Sequence, residues 1–299
     1  MTDFSEYNYG DYLSSKKMID DESMNRFVWD SMVKSLFNDE TRENINIIEI
    51  GAGIGTMIER IIDSELEIQG NYLALDISKE NIERAVSRLS TVSDKIKAVD
   101  DGYDVRFVNN YLDLNIQLRA RDALNVIKEM RGSSTIDLII SQAFLDLVDL
   151  ENIMPTLMSL LKRDGMLYTT INFDGITYLG PEIDETLDTL IENAYHSTMG
   201  NGFRGDLTGR RLLSYFIINE YSIHAAGSSD WVVYPGEAGY SKDTTYFLHY
   251  IINTIWEALA ESGIIDRSEL SRWIQKRHSH VENGTLTYIA HQMDFLVSN

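Results

Sequence analysis

Residues 47–62 read IIEIGAGIGTMIERII, and the order of residue types in that stretch decides the fold. Ile47, Ile48 and Ile50 form a short apolar run of strand type, Gly51, Gly53 and Gly55 follow at alternate positions, and Met57, Ile58, Ile61 and Ile62 then recur at helical spacing. The pattern predicts a strand, a tight turn and a helix. Glycine in the turn lets a ligand approach the backbone where no Cβ intervenes, and the helix start offers N–H groups that lack intrahelical partners. Glu49 adds a carboxylate just before the turn, placed to accept hydrogen bonds from a ligand amino group. Together these features point to a nucleoside with a charged amino-acid tail.

A dinucleotide fingerprint, G-x-G-x-x-G, would need glycine where Thr56 stands. The spacing is instead E-x-G-x-G-x-G, from Glu49 to Gly55. It resembles motif I of the class I S-adenosylmethionine (SAM)-dependent methyltransferases of small-molecule type. The resemblance implies a doubly wound, mostly parallel, seven-stranded α/β sheet, SAM as cofactor with S-adenosylhomocysteine as product, and cofactor contacts from Glu49, Gly51, Ala52 and Gly53. Three other readings stand beside methyl transfer to a small molecule: an aminopropyl transferase, a noncatalytic SAM-binding module, and an NAD(P)-dependent oxidoreductase.

Composition narrows the partners. A chain of 299 residues with 43% hydrophobic content can bury a substantial core. Its formal charge of -21 opposes a phosphate backbone, so nucleic acid is disfavoured as substrate. Cysteine is absent, which excludes disulfides, thiolate catalysis and cysteine-ligated metals. No His or carboxylate spacing suggests a metal site. The first residues, MTDFSEYNYGDYL, have neither a basic nor an apolar signal region, and the longest apolar stretch, near Tyr246 to Leu259, is interrupted by His249, Asn253 and Glu257. A soluble cytoplasmic protein with no membrane association is the expectation.

Before the glycine turn, Met18, Ile19, Phe27, Val28, Met32, Val33, Leu36 and Phe37 predict one helix over about 15–37. The family resemblance makes residues 1–40 a helical lid over the cofactor, with Lys16 or Lys17 toward its carboxylate and Tyr9 and Tyr12 toward the acceptor. Residues 41–299 form the methyltransferase domain. After the turn, NYLALDI predicts a second strand ending at Asp76, with Ile77 beside it and Ser78 as N-cap of the next helix. The resemblance gives Asp76 the ribose hydroxyls. Residues 94–104 read as a charged loop and 105–108 as a third strand, after which Asn110 and Tyr111 fall at the family's adenine position, with Asp113 as the alternative to Asn110.

Residues 114–130 read as a helix and 136–140 as a fourth strand, with Ser141, Gln142 and Asp146 just beyond it, where open α/β sheets bind ligands. A helix over 148–161 and a fifth strand over 166–173 complete the alternating core. From 174 to about 207 the chain resembles a substrate-cap insertion with a helix over 183–199, in which Tyr178, Tyr195, His196 and Phe203 are pocket candidates. A broken sixth strand over 221–234, helices over 244–262 and 268–278 in a second insertion at about 240–280, and a last strand over 285–297 follow. Tyr246 and His249 share one helix face, which makes Tyr246 a substrate-contact candidate and His249 a candidate base.

Overall fold

The computed structural model describes residues 7–37, 44–64, 66–93, 95–199 and 205–299. Phe203 lies outside them. The predicted unit at the glycine turn is present as β1 (Ile45–Ile50) and α4 (Thr56–Asp63), preceded by α1 (Tyr9–Ser15), α2 (Lys17–Ser23) and α3 (Arg26–Phe37). The single helix expected over 15–37 is thus two, α2 and α3, with α1 before them. Asn8 caps α1 by accepting from Gly10 N, and the chain turns again at Met24, where an extended φ/ψ ends α2.

Next come β2 (Ile68–Asp76), α5 (Lys79–Leu89), β3 (Lys95–Val99), β4 (Gly102–Val108) and β5 (Leu112–Ala120). The second half contains α6 (Ala123–Glu129), β6 (Ile136–Gln142), α7 (Leu150–Leu160), β7 (Leu161–Gly180), α8 (Glu185–Thr198) and α9 (Thr208–Ile218). The chain finishes with β8 (Ser222–Ser228), β9 (Trp231–Val233), α10 (Lys242–Leu259), α11 (Arg267–Glu282) and β10 (Thr287–Ser298).

The strands form one sheet in the order β3-β4-β5-β2-β1-β6-β7-β10-β8, with β9 pairing to β10. The seven strands from β5 to β8 along this path are mostly parallel, with β10 antiparallel between β7 and β8. The sheet has ten strands rather than seven. The additions are the β3–β4 hairpin at one edge and β9 at the other.

The hairpin corrects two expectations. Residues 95–99 and 102–104 belong to β3 and β4 rather than to a loop, and 114–130 is not one helix. Leu112, Leu114, Ile116 and Leu118 alternate with polar residues and bury one face of β5 against the core, while Asn115 and Gln117 face water. That period of two belongs to a strand, and α6 begins only after Asp122, whose side chain accepts from Leu124 N at 2.8 Å.

Side chains alternate across the sheet into two cores. Ile45 and Ile47 of β1, with Tyr72 and Ala74 of β2, pack under α3, α4 and α5. Ile48 and Ile50 pack against α6, α7 and α9 on the opposite face. A third cluster, centred on Phe247, Ile252, Trp273 and Ile274, joins α8, α10 and α11 to the extended ends of β7 and β10. Each fully buried Leu or Ile in these layers contributes about 1.5–3 kcal/mol relative to exposure. No helix among the described residues is long and apolar enough to cross a membrane.

Candidate functional site

The carboxyl ends of β1, β2, β5 and β6 converge on the glycine turn. Gly51 has a φ of 71°, and a Cβ built there would stand 2.5 Å from Cδ2 of Phe144. Only glycine lets the chain turn there beneath that ring. Gly55 caps α4 with a φ of 79°, and a Cβ there would sit 3.2 Å from that of Ala85, so α4 packs closely on α5. Ala52 N donates to Leu75 O at 2.9 Å, which ties the turn to β2.

A cavity of about 680 Å3 opens over this turn. On its floor Asp76 is held by three donors: Gly53 N at 2.8 Å, Ser78 N at 2.8 Å and Asn81 Nδ2 at 3.1 Å. A carboxylate has about four acceptor positions, so its orientation is fixed with capacity to spare. Ile77 lies at the cavity wall with its side chain 76% exposed, an apolar surface open to a flat ligand. Glu49 also lines the cavity, nearly fully buried, and accepts from the Tyr72 hydroxyl at 2.7 Å. Burial, reinforced by the nearby Asp76 charge, pushes its carboxyl up to about 8 despite the Tyr72 bond and the attraction of Arg60.

The N-terminal helices close one side. Tyr9, Tyr12, Leu13, Lys16 and Asp20 all face the cavity. Tyr246 of α10 fixes the start of α1, since its hydroxyl accepts from Asn8 N at 2.7 Å and donates to Asn8 O at 3.2 Å. Asp20 is nearly inaccessible and gathers four elements: Lys16 Nζ at 3.1 Å, Gln142 Nε2 at 3.3 Å, Trp231 Nε1 at 3.0 Å and Arg60 Nη2 at 4.0 Å. Arg60 in turn donates to Asp21 at 2.5 Å and to Gln142 Oε1 at 2.7 Å. The helices are therefore pinned to β6 and α4 by a charged network beside the glycine turn.

Two residues at the strand ends hold backbone angles that L side chains rarely adopt. Ala143, after β6, has a φ of 49°, and Ile171, within β7, a φ of 58°. A β-branched residue at positive φ is a costly outlier, on the order of 1–3 kcal/mol, and both residues line the cavity. The strain at Ile171 is held by buried Asp294, which accepts from Ile171 N at 2.7 Å, Ser229 Oγ at 2.6 Å and Asn25 N at 2.7 Å. Burial raises its carboxyl to about 6 against those three donors.

The same cavity also has Phe173, Tyr195, Trp231, Tyr250 and Tyr288 in its wall. Asp146 lines it too. Burial raises its carboxyl to about 7, and its Oδ1 is buried with no hydrogen-bond partner among the described residues.

Of the residues expected from sequence, Glu49, Gly51, Ala52, Gly53, Asp76, Ile77, Gln142, Tyr9 and Tyr12 are brought together at the cavity. Others are not. Asn110 and Tyr111 precede β5, whose start pairs with the start of β2, so they lie at the far end of the sheet. Asp113 stands at that same end, paired with Arg106. The position beside Asp76 is taken instead by Ala120, and Asp122, Ala123 and Leu124 line the cavity.

Lys17 pairs with Asp21 at 2.8 Å and does not line the cavity; its neighbour Lys16 does. Ser141 is fully buried within β6, because strand alternation points it away from the side taken by Gln142. Tyr178 is 47% exposed and outside the cavity wall. His196 is one contact removed, with Nε2 at 2.9 Å from Oγ1 of the lining residue Thr177.

His249 points away. Its Nδ1 lies 2.7 Å from Nδ1 of His278, and the helix turn that removes it from the cavity puts Tyr250 there. Tyr246 likewise serves α1 rather than the cavity. Sequence reasoning missed Asp20, Asp122, Trp231, Tyr250, Tyr288 and Gln292. For Asp122 the signal was present as strand alternation followed by an N-cap residue.

A search of curated proteins finds no significant match. Among solved structures, the fold is similar to Haemonchus contortus phosphoethanolamine N-methyltransferase 2, at 12% identity and a TM-score of 0.43, covering 99% of this chain and 60% of that one. The chain thus spans less than two thirds of that enzyme's length. It is also similar to a protein from Anaeromyxobacter dehalogenans assigned as a type II methyltransferase, at 11% identity and a TM-score of 0.46, covering 92% of this chain and 96% of that one. A third, from Galdieria sulphuraria and assigned as a sarcosine dimethylglycine methyltransferase, has 13% identity and a TM-score of 0.40, with 95% and 85% covered. The family model described as "Methyltransferase domain" matches residues 41–198, more than half of the sequence and the whole of the sheet from β1 to β7 with its glycine turn. The chain belongs to the methyltransferase-domain family.

Proposed function

We propose that the protein transfers a methyl group from SAM to a small-molecule acceptor enclosed in the same cavity. The observation that carries the reading is that Glu49 and Asp76 flank one glycine turn and open onto one cavity, whose wall also holds Phe173, Tyr195, Trp231, Tyr250 and Tyr288. The residues fit the cofactor. Asp76 has one acceptor position left, on Oδ2, for a ribose hydroxyl, and Ile77 with Ala123 and Leu124 offers apolar surface for a purine. The buried Glu49 is a carboxyl that ionises readily only beside a cation, and the amino group of the methionine tail is one. Lys16 faces the same cavity and suits the tail's carboxylate.

SAM supplies an activated methyl group on a sulfonium. The chain's task is then to bind, align and exclude water. Helices α1 and α2, fixed through Asp20 and Tyr246, act as the lid over the cavity, and α8 and α10 act as the cap. Where the acceptor must lose a proton, Asp146 is the group best placed to take it, since its carboxyl stands near 7.

Calorimetry with SAM and S-adenosylhomocysteine tests the cofactor, and release of S-adenosylhomocysteine in the presence of acceptors tests turnover. Binding of both is expected, with no response to NAD or NADP. Stabilisation by NAD(P) and not by S-adenosylhomocysteine would overturn the reading. Binding without turnover across a broad acceptor panel would leave a noncatalytic module.

A further inference from the structure

Among the described residues, Lys16 is the one lysine or arginine in the cavity wall, and it already has a partner. Its Nζ stands 3.1 Å from Oδ2 of Asp20, with both side chains buried. The same oxygen accepts from Gln142 Nε2 at 3.3 Å, while Oδ1 accepts from Trp231 Nε1 at 3.0 Å. A carboxylate oxygen has two acceptor positions, so Lys16 and Gln142 together fill Oδ2. The Lys16 contact is longer than the roughly 2.7–2.9 Å usual for an ammonium on a carboxylate.

A second cation stands behind this pair. Arg60 of α4 is more than nine-tenths buried, and its guanidinium is fixed by Asp21, which accepts from Nε at 2.5 Å, and by Gln142 Oε1, which accepts from Nη1 at 2.7 Å. Its Nη2 is buried with no hydrogen-bond partner among the described residues and lies 4.0 Å from Asp20 Oδ2, beyond bonding distance. A buried N–H on a charged group destabilises the fold when it lacks an acceptor. Here the acceptor is present, but its two positions are taken. If Lys16 turned away, a shift of about 1 Å would bring Nη2 to the roughly 2.9 Å of an ordinary bond.

We propose that the carboxylate of the cofactor's methionine tail sets off an exchange of partners: Lys16 turns from Asp20 to the tail, Arg60 Nη2 takes the vacated position on Asp20 Oδ2, and α2 is drawn onto α4. The inference rests on SAM occupying this cavity. Every charge stays paired through the exchange, since Asp20 passes from Lys16 to Arg60 as Lys16 gains the tail. Arg60 does not line the cavity and is a positioning residue, which acts on the ligand through Asp20 and Lys16. The lid thereby responds to the tail's carboxylate rather than to the nucleoside.

The test compares S-adenosylhomocysteine with S-adenosyl-3-thiopropylamine, which keeps the nucleoside and the amino group and lacks only the carboxylate. Each is added at a saturating concentration set by calorimetry, and amide hydrogen exchange over residues 17–23 is followed by mass spectrometry. S-adenosylhomocysteine should slow exchange at least fivefold, and the decarboxylated analogue less than twofold. Arg60→Lys keeps the charge but loses the planar fork; it should bind S-adenosylhomocysteine within tenfold of the parent, yet the slowing should fall below twofold. A merely structural role for Arg60 would instead speed exchange with and without ligand and leave the ratio between the two unchanged. That unchanged ratio, or equal slowing by the two ligands in the parent, including none by either, would overturn the proposal. Should Arg60→Lys fail to fold, the two ligands on the parent decide. Failure of S-adenosylhomocysteine itself to bind is a separate result, which overturns the cofactor reading beneath it.

Discussion

The two halves of the cavity are built by different means. The half over β1, β2, β5 and β6 uses backbone turns and oriented carboxylates drawn from short local segments: Glu49 to Gly55, Asp76 to Asn81 and Asp122 to Leu124. The half beside β7 and β10 is made of side chains brought together across the whole sequence, with Tyr12 against Tyr250 and Trp231 against Phe247. A grip built from local backbone tolerates little substitution. A wall of rings can be remodelled one side chain at a time while the other half keeps its ligand.

The sharpest way to break that contrast is to remove the hinge of the first half. Asp76→Ala deletes a ligand bond to a charged group and also frees Gly53 N, Ser78 N and Asn81 Nδ2. A bond to a charged group contributes about 1.5–3 kcal/mol, so S-adenosylhomocysteine affinity should fall about tenfold to a hundredfold. Calorimetry checks this, with far-UV circular dichroism to show that the fold persists. Retained affinity would mean that the glycine turn alone holds the ligand.

The junction between the halves depends on Asp294. Asp294→Ala leaves the N–H groups of Ile171 and Asn25 and the Ser229 hydroxyl without their acceptor, in a site of zero exposure. At roughly 1 kcal/mol or more per orphaned donor, unfolding in urea should show a loss of about 3 kcal/mol. Because β7 carries Ile171 into the cavity, the variant should also weaken acceptor binding more than cofactor binding.

Glu49 gives the first half a pH dependence of its own. Its folded carboxyl, near 8, lies above the ordinary 4.5, so the protonated form is favoured in the ligand-free protein. The stability it contributes is present below about 4.5 and is lost as pH rises through 8. A cationic tail favours the carboxylate and so reverses the preference. Affinity for S-adenosylhomocysteine should therefore rise about tenfold from pH 6 to pH 7 with release of a proton, measurable in buffers of different ionisation heat. Glu49→Gln should make the affinity flat across that range.

The same contrast explains what the sequence made legible. The glycine turn, Asp76 and the Ser78 cap are contiguous patterns whose chemistry is local, and each stands at the cavity or beside it. The adenine position was misplaced because the β3–β4 hairpin shifts the third parallel strand to Leu112–Ala120, although its alternation was readable. Tyr250 and Tyr288 carried no local signal, because an aromatic on a helix or strand reads as core until its neighbours are known. Of Lys16 and Lys17, both readable as facing the tail's carboxylate, Lys16 lines the cavity and Lys17 pairs with Asp21.

The smallest expected effect separates the helix face that meets the cavity from the one that does not. His249 and Tyr250 are adjacent on α10, yet only Tyr250 reaches the cavity. His249 is bonded to His278 at 2.7 Å and stacks near Tyr7 at 6.4 Å, and burial lowers its pKa below the usual imidazole value. A base acting on the acceptor would need to come within hydrogen-bonding reach of it, and this ring is turned to His278 and does not line the cavity. His249→Ala should cost about 1 kcal/mol of stability through the lost bond and leave S-adenosylhomocysteine affinity and turnover within twofold of the parent. A tenfold fall in turnover at unchanged cofactor affinity would show that α10 rotates when the acceptor binds, and the boundary drawn between the two faces would have to move.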